Sequence, residues 1–190
     1  MRDPATLTHA VTLPQPLAWA CCGPCPVTCS DTRPDMARIG ELIGIHASRH
    51  WIGIDEAKTL EPMLGRKVTG DEVMAMQRRG ALVGVARLRG VVREGRLPHT
   101  GRTGFVLQIG RGAVTGALAT EVRQRIEPWW RPGTKWGLLL DEAVALSEPI
   151  PMRGAGGLWR ITGRISKRMQ YPGDVTAWAL EQWRKGRAER

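Results

Sequence analysis

His9-Ala10-Val11-Thr12-Leu13-Pro14-Gln15-Pro16-Leu17-Ala18-Trp19-Ala20-Cys21-Cys22 is the stretch that decides the fold. Residues 9–13 alternate apolar and polar side chains, which predicts a short strand. Two prolines around Gln15 remove backbone donors and turn the chain, and the small and apolar residues 17–22 that follow predict a short helix. The chain therefore opens strand, tight turn, helix. Beyond it, residues 23–35 carry Pro24, Pro26 and Pro34 among Thr28, Ser30, Asp31 and Thr32, and read as a loop. Leu42-Ile43-Gly44-Ile45-His46-Ala47 then reads as a buried strand ending in the polar pair Ser48-Arg49.

Further out, residues 55–63 predict a helix with Pro62 near its end. Thr69-Gly70-Asp71-Glu72 has the form of a capping box, so a second helix is expected from there to Arg79, stopped by Gly80. Residues 81–92 are the clearest strand. Strict alternation puts Leu82, Ala86, Leu88 and Val92 on one face and Val83, Val85, Arg87 and Arg89 on the other. Charge continues through Arg93, Arg96, His99 and Arg102 in a glycine- and proline-containing loop. Val114, Leu118, Val122 and Ile126 recur every four residues, predicting a helix that ends where Glu127 meets Pro128. Strands are expected at 136–140, 144–146 and 158–162. A C-terminal helix follows an N-cap at Asp174, with Val175, Trp178, Ala179 and Trp183 on its apolar stripe. Strands and helices mix without βαβ regularity, which points to an α+β fold, a curved barrel of about five or six strands with surrounding helices.

The 190 residues, 42% of them hydrophobic and 24% charged, suit one globular domain spanning 1–190 and argue against global disorder. The N-terminus lacks the pattern of a signal peptide, and no stretch approaches the roughly 20 apolar residues of a membrane helix. The expectation is a cytoplasmic protein without a membrane partner, its four cysteines reduced. The net charge of +10 is distributed unevenly: residues 1–80 hold nine basic and nine acidic side chains, so the whole excess lies in residues 81–190. A coding bias explains the preference for Arg over Lys, 23 against 5, but not an excess confined to one part of the chain. A polyanionic partner does explain it.

Thr12-Leu13-Pro14-Gln15-Pro16-Leu17-Ala18 resembles the opening strand-to-helix signature of the activating-signal-cointegrator homology (ASCH) domain family, within the PUA-like superfamily. Gly44-Ile45-His46-Ala47-Ser48 and Gly80-Ala81-Leu82-Val83-Gly84-Val85-Ala86 are similar to its next strands. The run from Lys135-Trp136-Gly137 through Glu148-Pro149-Ile150-Pro151 and Arg153-Gly154 to Gly157-Leu158-Trp159 is similar to its C-terminal strands. The resemblance covers a core of about 9–162, with an insertion at about 95–132 and a helical tail at about 164–190. It implies a PUA-like curved barrel with a cleft beside it and binding of RNA or DNA, some family members being small hydrolases.

The chain departs from the family in the loop after the first helix, where members show Gly-x-Lys-x-x-Glu-x-Arg and relatives that hydrolyse acylated cytidine carry Thr for Glu. Here the loop reads Gly23-Pro24-Cys25-Pro26-Val27-Thr28-Cys29-Ser30. Cys25 stands for the Lys, Thr28 keeps the hydroxyl and Ser30 replaces the Arg, so the lysine that would activate a nucleophile is missing. If the protein is an enzyme, a hydrolase or ribonuclease acting on RNA or a modified nucleoside, the candidates are Cys25, Thr28 and His46. Cys22, Cys25 and Cys29, within a cluster that also holds Cys21, have half the spacing of a zinc knuckle; as small hydrophobes they also suit a helix packed on the barrel. The packing reading is the stronger one and no cofactor is expected, zinc being the only one these cysteines could hold.

The leading expectation is a nucleic-acid-binding module. Gln15, Trp19, Thr28, Ser30, His46, Ser48 and Trp51 would form a cleft for one flipped or modified base, with the indoles available for stacking. Arg87, Arg89, Arg93, Arg153 and Arg160 would hold phosphates. Trp159, Trp178 and Trp183 are read as core. Trp129-Trp130 is open between lid, dimer contact and nucleic-acid platform, and in a protein-interaction module the pair would be anchors.

Overall fold

The prolines after residue 13 do turn the chain: strand β1 (Leu7–Leu13) gives way to helix α1 (Leu17–Ala20) within three residues. The computed structural model describes residues 7–30, 34–35, 38–50, 52–96, 103–109, 112–114, 116–131, 133–161 and 175–188. In chain order the further elements are β2 (Val27–Ser30), β3 (Leu42–Ala47), α2 (Ile54–Lys58), α3 (Glu61–Leu64), α4 (Gly70–Met76), β4 (Ala81–Arg96), β5 (Thr103–Ile109), β6 (Gly112–Val114), α5 (Gly116–Ile126), β7 (Trp136–Pro151), β8 (Leu158–Arg160) and α6 (Val175–Ala188).

The strands form one mixed sheet in the order β2-β7-β4-β3-β1-β8, and a β5–β6 hairpin pairs with the far half of β4. Among the described residues only β1 and β3 run parallel, with Thr12 beside His46 in register. The spine is the pairing of β4 with β7, each 16 residues long. This is an α+β architecture with a curled six-strand path, as expected, and the hairpin adds two strands. Among the described residues no helix is long and apolar enough to cross a membrane.

Several sequence expectations are corrected. The loop at 23–35 contains β2, a strand of four residues hidden between prolines and held by antiparallel pairing to β7. The helix at 55–63 is two helices. Pro62 lies in the first turn of α3, where its missing N–H leaves no helical bond unmade. Arg93 and Arg96 belong to β4 rather than to a loop, and Val114 lies in β6 rather than in α5. The strands at 136–140 and 144–146 are one. Between Val85↔Val144 and Arg87↔Asp141, β7 carries one residue more than β4, and Glu142 takes a φ of 51° at this bulge.

Bulges also overturn the alternation read along β4. Val83, Ala86, Leu88 and Val91 share one core, packed with Ile43, Ile45, Leu138 and Leu140. Leu82 and Val85 face the other, with Leu7, Leu42, Val144 and Ile150. Where the extra residue lies on β4 itself, at Val83 opposite Ile45–His46 of β3 and at Arg89 opposite Leu139–Leu140 of β7, later side chains move to the opposite face. Gly84 lies where a Cβ would overlap Cys22 Sγ and come within 3.0 Å of Val144 O, so close packing of α1 on the sheet requires glycine.

The capping box stands. Glu72 N donates to Thr69 Oγ1 at 3.3 Å and Thr69 N to Glu72 Oε2 at 2.9 Å. Arg66 clamps the same carboxylate and, as the largest cause, brings Glu72 down to about 2. The tail helix docks through buried Ala179 and Trp183; Trp183 Nε1 donates to Glu142 O at 2.9 Å, and the Arg87 guanidinium lies 5.6 Å from its ring centroid. Asp174 and the Trp178 side chain lie outside the described residues. Trp129 and Trp130 are half-buried against Val27, Val92, Val122, Ile126 and Leu139.

Candidate functional site

The sheet path begins at β2 and ends at β8, and its curl brings these ends to face each other across a seam. A cleft of about 540 Å³ occupies the seam, with His9, Thr12, Ser30, Asp35, Arg38 and Arg160 among its lining. A second cleft of about 370 Å³ lies beside it, walled by Thr12, His46, Ser48, Arg49, Arg153 and the glycine-rich turn after it. Both volumes fall within the range of small-ligand pockets. Thr12 lines both clefts, and successive glycines, Gly156 and Gly157, border the second and the first.

The smaller cleft is built by the ends of β1, β3 and β7. Ser48 N donates to Leu13 O at 2.8 Å, continuing the β1–β3 ladder beyond His46. Gly80 N donates to Ala47 O, and Met152 N donates to Gly80 O at 3.1 Å, which brings the chain after β7 over the end of β3. There His46 Nε2 meets Met152 O at 3.1 Å. A carbonyl only accepts, so Nε2 carries the proton and Nδ1 presents a lone pair.

His46 is 2% exposed, and its Nδ1 is buried with no hydrogen-bond partner among the described residues. Burial pushes its pKa below the usual 6.5; the Met152 carbonyl opposes this and the Arg49 charge adds to it. The ring is therefore neutral at pH 7. Trp159 stands edge-on to it at 5.8 Å and 82°, and donates Nε1 to Thr12 Oγ1 at 2.9 Å. Arg49 and Arg153 are both exposed, and neither has an ion-pair partner among the described residues. The cleft thus combines two uncompensated guanidinium groups, two hydroxyls and a neutral acceptor, in the absence of any lining carboxylate among the described residues.

The seam cleft has a different balance. Arg38 is tied to Glu41 at 3.0 Å and to Asp35 at 3.4 Å, and its Nη1 donates to His9 Nδ1 at 2.9 Å. Burial first and Arg38 second keep His9 below its ordinary pKa. Of its basic groups, Arg160 alone is exposed. For an anion the smaller cleft is the stronger site despite its size, because its charges are not already met by carboxylates.

His46 and Ser48 meet in the smaller cleft with Arg153, whereas Ser30 and Arg160 line the seam. Gln15 is buried, donating Nε2 to Arg78 O at 2.8 Å and accepting from Trp19 N at 3.0 Å, so it straps α1 to the end of α4. Trp19 packs half-buried on the core, and Thr28 is buried in β2. Trp51 lies outside the described residues. Arg87 bonds Glu142 Oε2 and Gly40 O, each at 2.9 Å, and Arg89 bonds Asp141 Oδ2 at 2.7 Å. Arg93 is exposed farther along β4, opposite Trp136 in the β7 pairing. The five arginines proposed for phosphate are thus divided among separate places.

Cys25 and Thr28 line neither cleft with His46, and β7 and β4 separate β2 from β3 along the sheet. Cys25 is buried and donates Sγ to Val27 O at 2.8 Å; Cys22 donates to Ala18 O at 3.2 Å, its thiol pushed up to about 12 by burial. Cys29 Sγ accepts from Arg131 N at 3.3 Å. Among the described residues no three His, Cys, Asp or Glu side chains are grouped as metal ligands.

Thr12, Arg49 and Gly154 were not among the expected site residues. Thr12 joins the site through the parallel β1–β3 register, which local sequence does not state. Arg49 had a visible sign, an arginine directly after the His46–Ser48 strand end. Gly154 shows its role only in contact, where a Cβ would lie 2.5 Å from His46 Nδ1 and 2.7 Å from Thr12 Oγ1.

No protein-family model and no curated protein matches the sequence. Among solved structures, the chain is similar to that of a mutant ZmASCH protein from Zymomonas mobilis, at 15% identity and a TM-score of 0.42 over 87% of this chain and 94% of that one.

Proposed function

We propose that this protein is a nucleic-acid-binding module whose binding centre is the cleft of Thr12, His46, Ser48, Arg49 and Arg153. The observation that carries this reading is the pair of uncompensated arginines flanking a buried, neutral acceptor in one cleft. Guanidinium groups suit phosphate oxygens, and the hydroxyls of Thr12 and Ser48 suit a sugar or a base edge. The cleft volume of about 370 Å³ accommodates one nucleotide at a time. The charge of +10 gives the long-range attraction, and Arg160 borders the adjoining seam along which the strand can continue.

The nucleophiles that the sequence offered for a hydrolytic reading, Cys25 and Thr28, are not among the lining residues of this cleft. The test is fluorescence anisotropy with single-stranded and duplex RNA and DNA across a salt series, with labelled RNA followed for cleavage. Micromolar or tighter binding that weakens steeply with salt is expected, with the labelled strand intact. Equal binding of an uncharged nucleoside, or affinity indifferent to salt, would overturn the reading.

A further inference from the structure

Cys21 and Cys25 are buried, each 1% exposed, and their thiols converge on one carbonyl. Cys25 Sγ donates to Val27 O at 2.8 Å, and Cys21 Sγ approaches the same oxygen at 3.9 Å. The two thiols also hydrogen-bond each other, and this contact, with burial after it, holds that of Cys21 well above the ordinary thiol range. Their meeting follows from the backbone. Cys21 caps the end of α1, and Cys25 N donates to Ala20 O at 2.9 Å, which folds the chain back within one turn. The neighbouring cysteines are engaged elsewhere: Cys22 Sγ donates to Ala18 O beside Gly84, and Cys29 Sγ lies at Arg131 N.

We propose that Cys21 and Cys25 are a modification site, a dithiol that a hydroperoxide converts into a disulfide tying the end of α1 to the start of β2. This stands apart from the nucleic-acid reading and does not depend on it. The residues joining the pair, Gly23 and Pro24, are both exposed, and a Cβ on Gly23 would meet nothing within 4 Å. The thiols therefore lie under a single surface turn. Local opening of that turn, with the sheet intact, admits a small oxidant. The reaction is slow, because both sulfurs are covered and Cys21 is held in its protonated form.

In the first step Cys25 gives up its proton and its sulfur attacks the peroxide; the O–O bond breaks, the proton goes to the departing oxygen, and Cys25 carries a sulfenic acid. Cys21 sulfur then attacks Cys25 sulfur. The S–S bond forms, the S–O bond breaks, and the hydroxide leaves as water with the Cys21 proton. The two thiols together lose two electrons, and the hydroperoxide is reduced to an alcohol and water. The product removes both thiol protons from Val27 O and fixes Cys25, which leads through Pro26 into the strand whose Cys29 and Ser30 line the seam cleft.

The test treats the full chain, reduced, folded and free of nucleic acid, with excess hydrogen peroxide. Samples taken over time are denatured and their free thiols blocked with one alkylating reagent; disulfides are then reduced and the released thiols labelled with a second. Peptide fragmentation in the mass spectrometer places each label. The second label is expected on Cys21 and Cys25 together, with Cys22 carrying the first. Cys21→Ser should leave Cys25 without the second label, and Cys25→Ser should leave Cys21 without it. Cys29→Ser should leave the labelling of the pair unchanged. If a serine variant fails to fold, the label pattern of the parent protein decides by itself. A chain oxidised while denatured should give mixed pairings, so one pairing in the folded chain reports its geometry. The same mixture from folded protein, pairing of Cys21 or Cys25 with another cysteine, or oxidation of Cys29 with Cys21 and Cys25 still thiols would each overturn the inference, leaving the proposed function standing.

Discussion

Removing both unpaired arginines of the cleft, Arg49→Ala with Arg153→Ala, should change how binding responds to salt. On a single strand each phosphate neutralised contributes about 0.7 to the slope of log affinity against log salt, so the pair accounts for about 1.4. Between 50 and 200 mM salt the parent protein should therefore lose about sevenfold more affinity than the double variant. Arg87 and Arg89 supply the contrast, because their charges are met by Glu142 and Asp141. Arg87→Ala removes a half-buried ion pair, a bond to Gly40 O and the contact with Trp183, and should cost roughly 1–2 kcal/mol of stability. Arg89→Ala breaks an exposed pair and should cost less than about 1 kcal/mol. Neither should alter the slope. Anisotropy titrations at four or five salt concentrations, with thermal melts of the same proteins, read both effects. A slope unchanged by the double substitution, or lowered as much by Arg87→Ala and Arg89→Ala, would refute the assignment of the cleft.

Gly84→Ala should lower stability by roughly 1–3 kcal/mol, because the added methyl meets Cys22 Sγ and Val144 O inside the core; an unchanged melting temperature would show that α1 packs less closely than described. A disulfide exchange reagent should modify one thiol quickly in the native protein, half-buried Cys29, and all four after denaturation, since Cys21, Cys22 and Cys25 are buried. Two or more fast thiols would contradict this placement. His9 and His46 are both held below 6.5, burial being the first cause in each, so the unfolded chain binds more protons than the native one as the pH drops below that value. Their contribution is complete above about pH 6.5 and declines on acidification, and the urea midpoint should be lower at pH 5.5 than at 7.5. Glu72, brought down to about 2 by Arg66, adds its loss only below about pH 4.5. A midpoint constant between pH 7.5 and 5.5 would show that the histidines are not buried in the neutral form.

Features encoded within a few consecutive residues were legible from the chain. The strand–turn–helix opening, the Thr69–Glu72 box, the β3 strand and the Ala179 and Trp183 face of α6 each depend on local backbone chemistry or a short period. The short strand β2 was not legible, because four residues between prolines become a strand only when β7 supplies the hydrogen bonds. Alternation along β4 misassigned its faces for a related reason: the bulges are set by how β4 matches both β3 and β7, strands distant in the chain. The arginines show the same division. Their number and their excess after residue 80 are properties of the sequence, whereas which of them are neutralised depends on carboxylates brought across the sheet. His46 was identifiable as a candidate from its strand, but its partners were not. Thr12 reaches it through parallel register, and Met152, Gly154 and Trp159 through the return of the chain more than 100 residues later, so its tautomer and its unmet nitrogen were decided by long-range packing. Local propensity acts over a turn of helix or a few strand residues, whereas register, curl and charge pairing are energies of contact between distant segments and exist only once the sheet has closed around them.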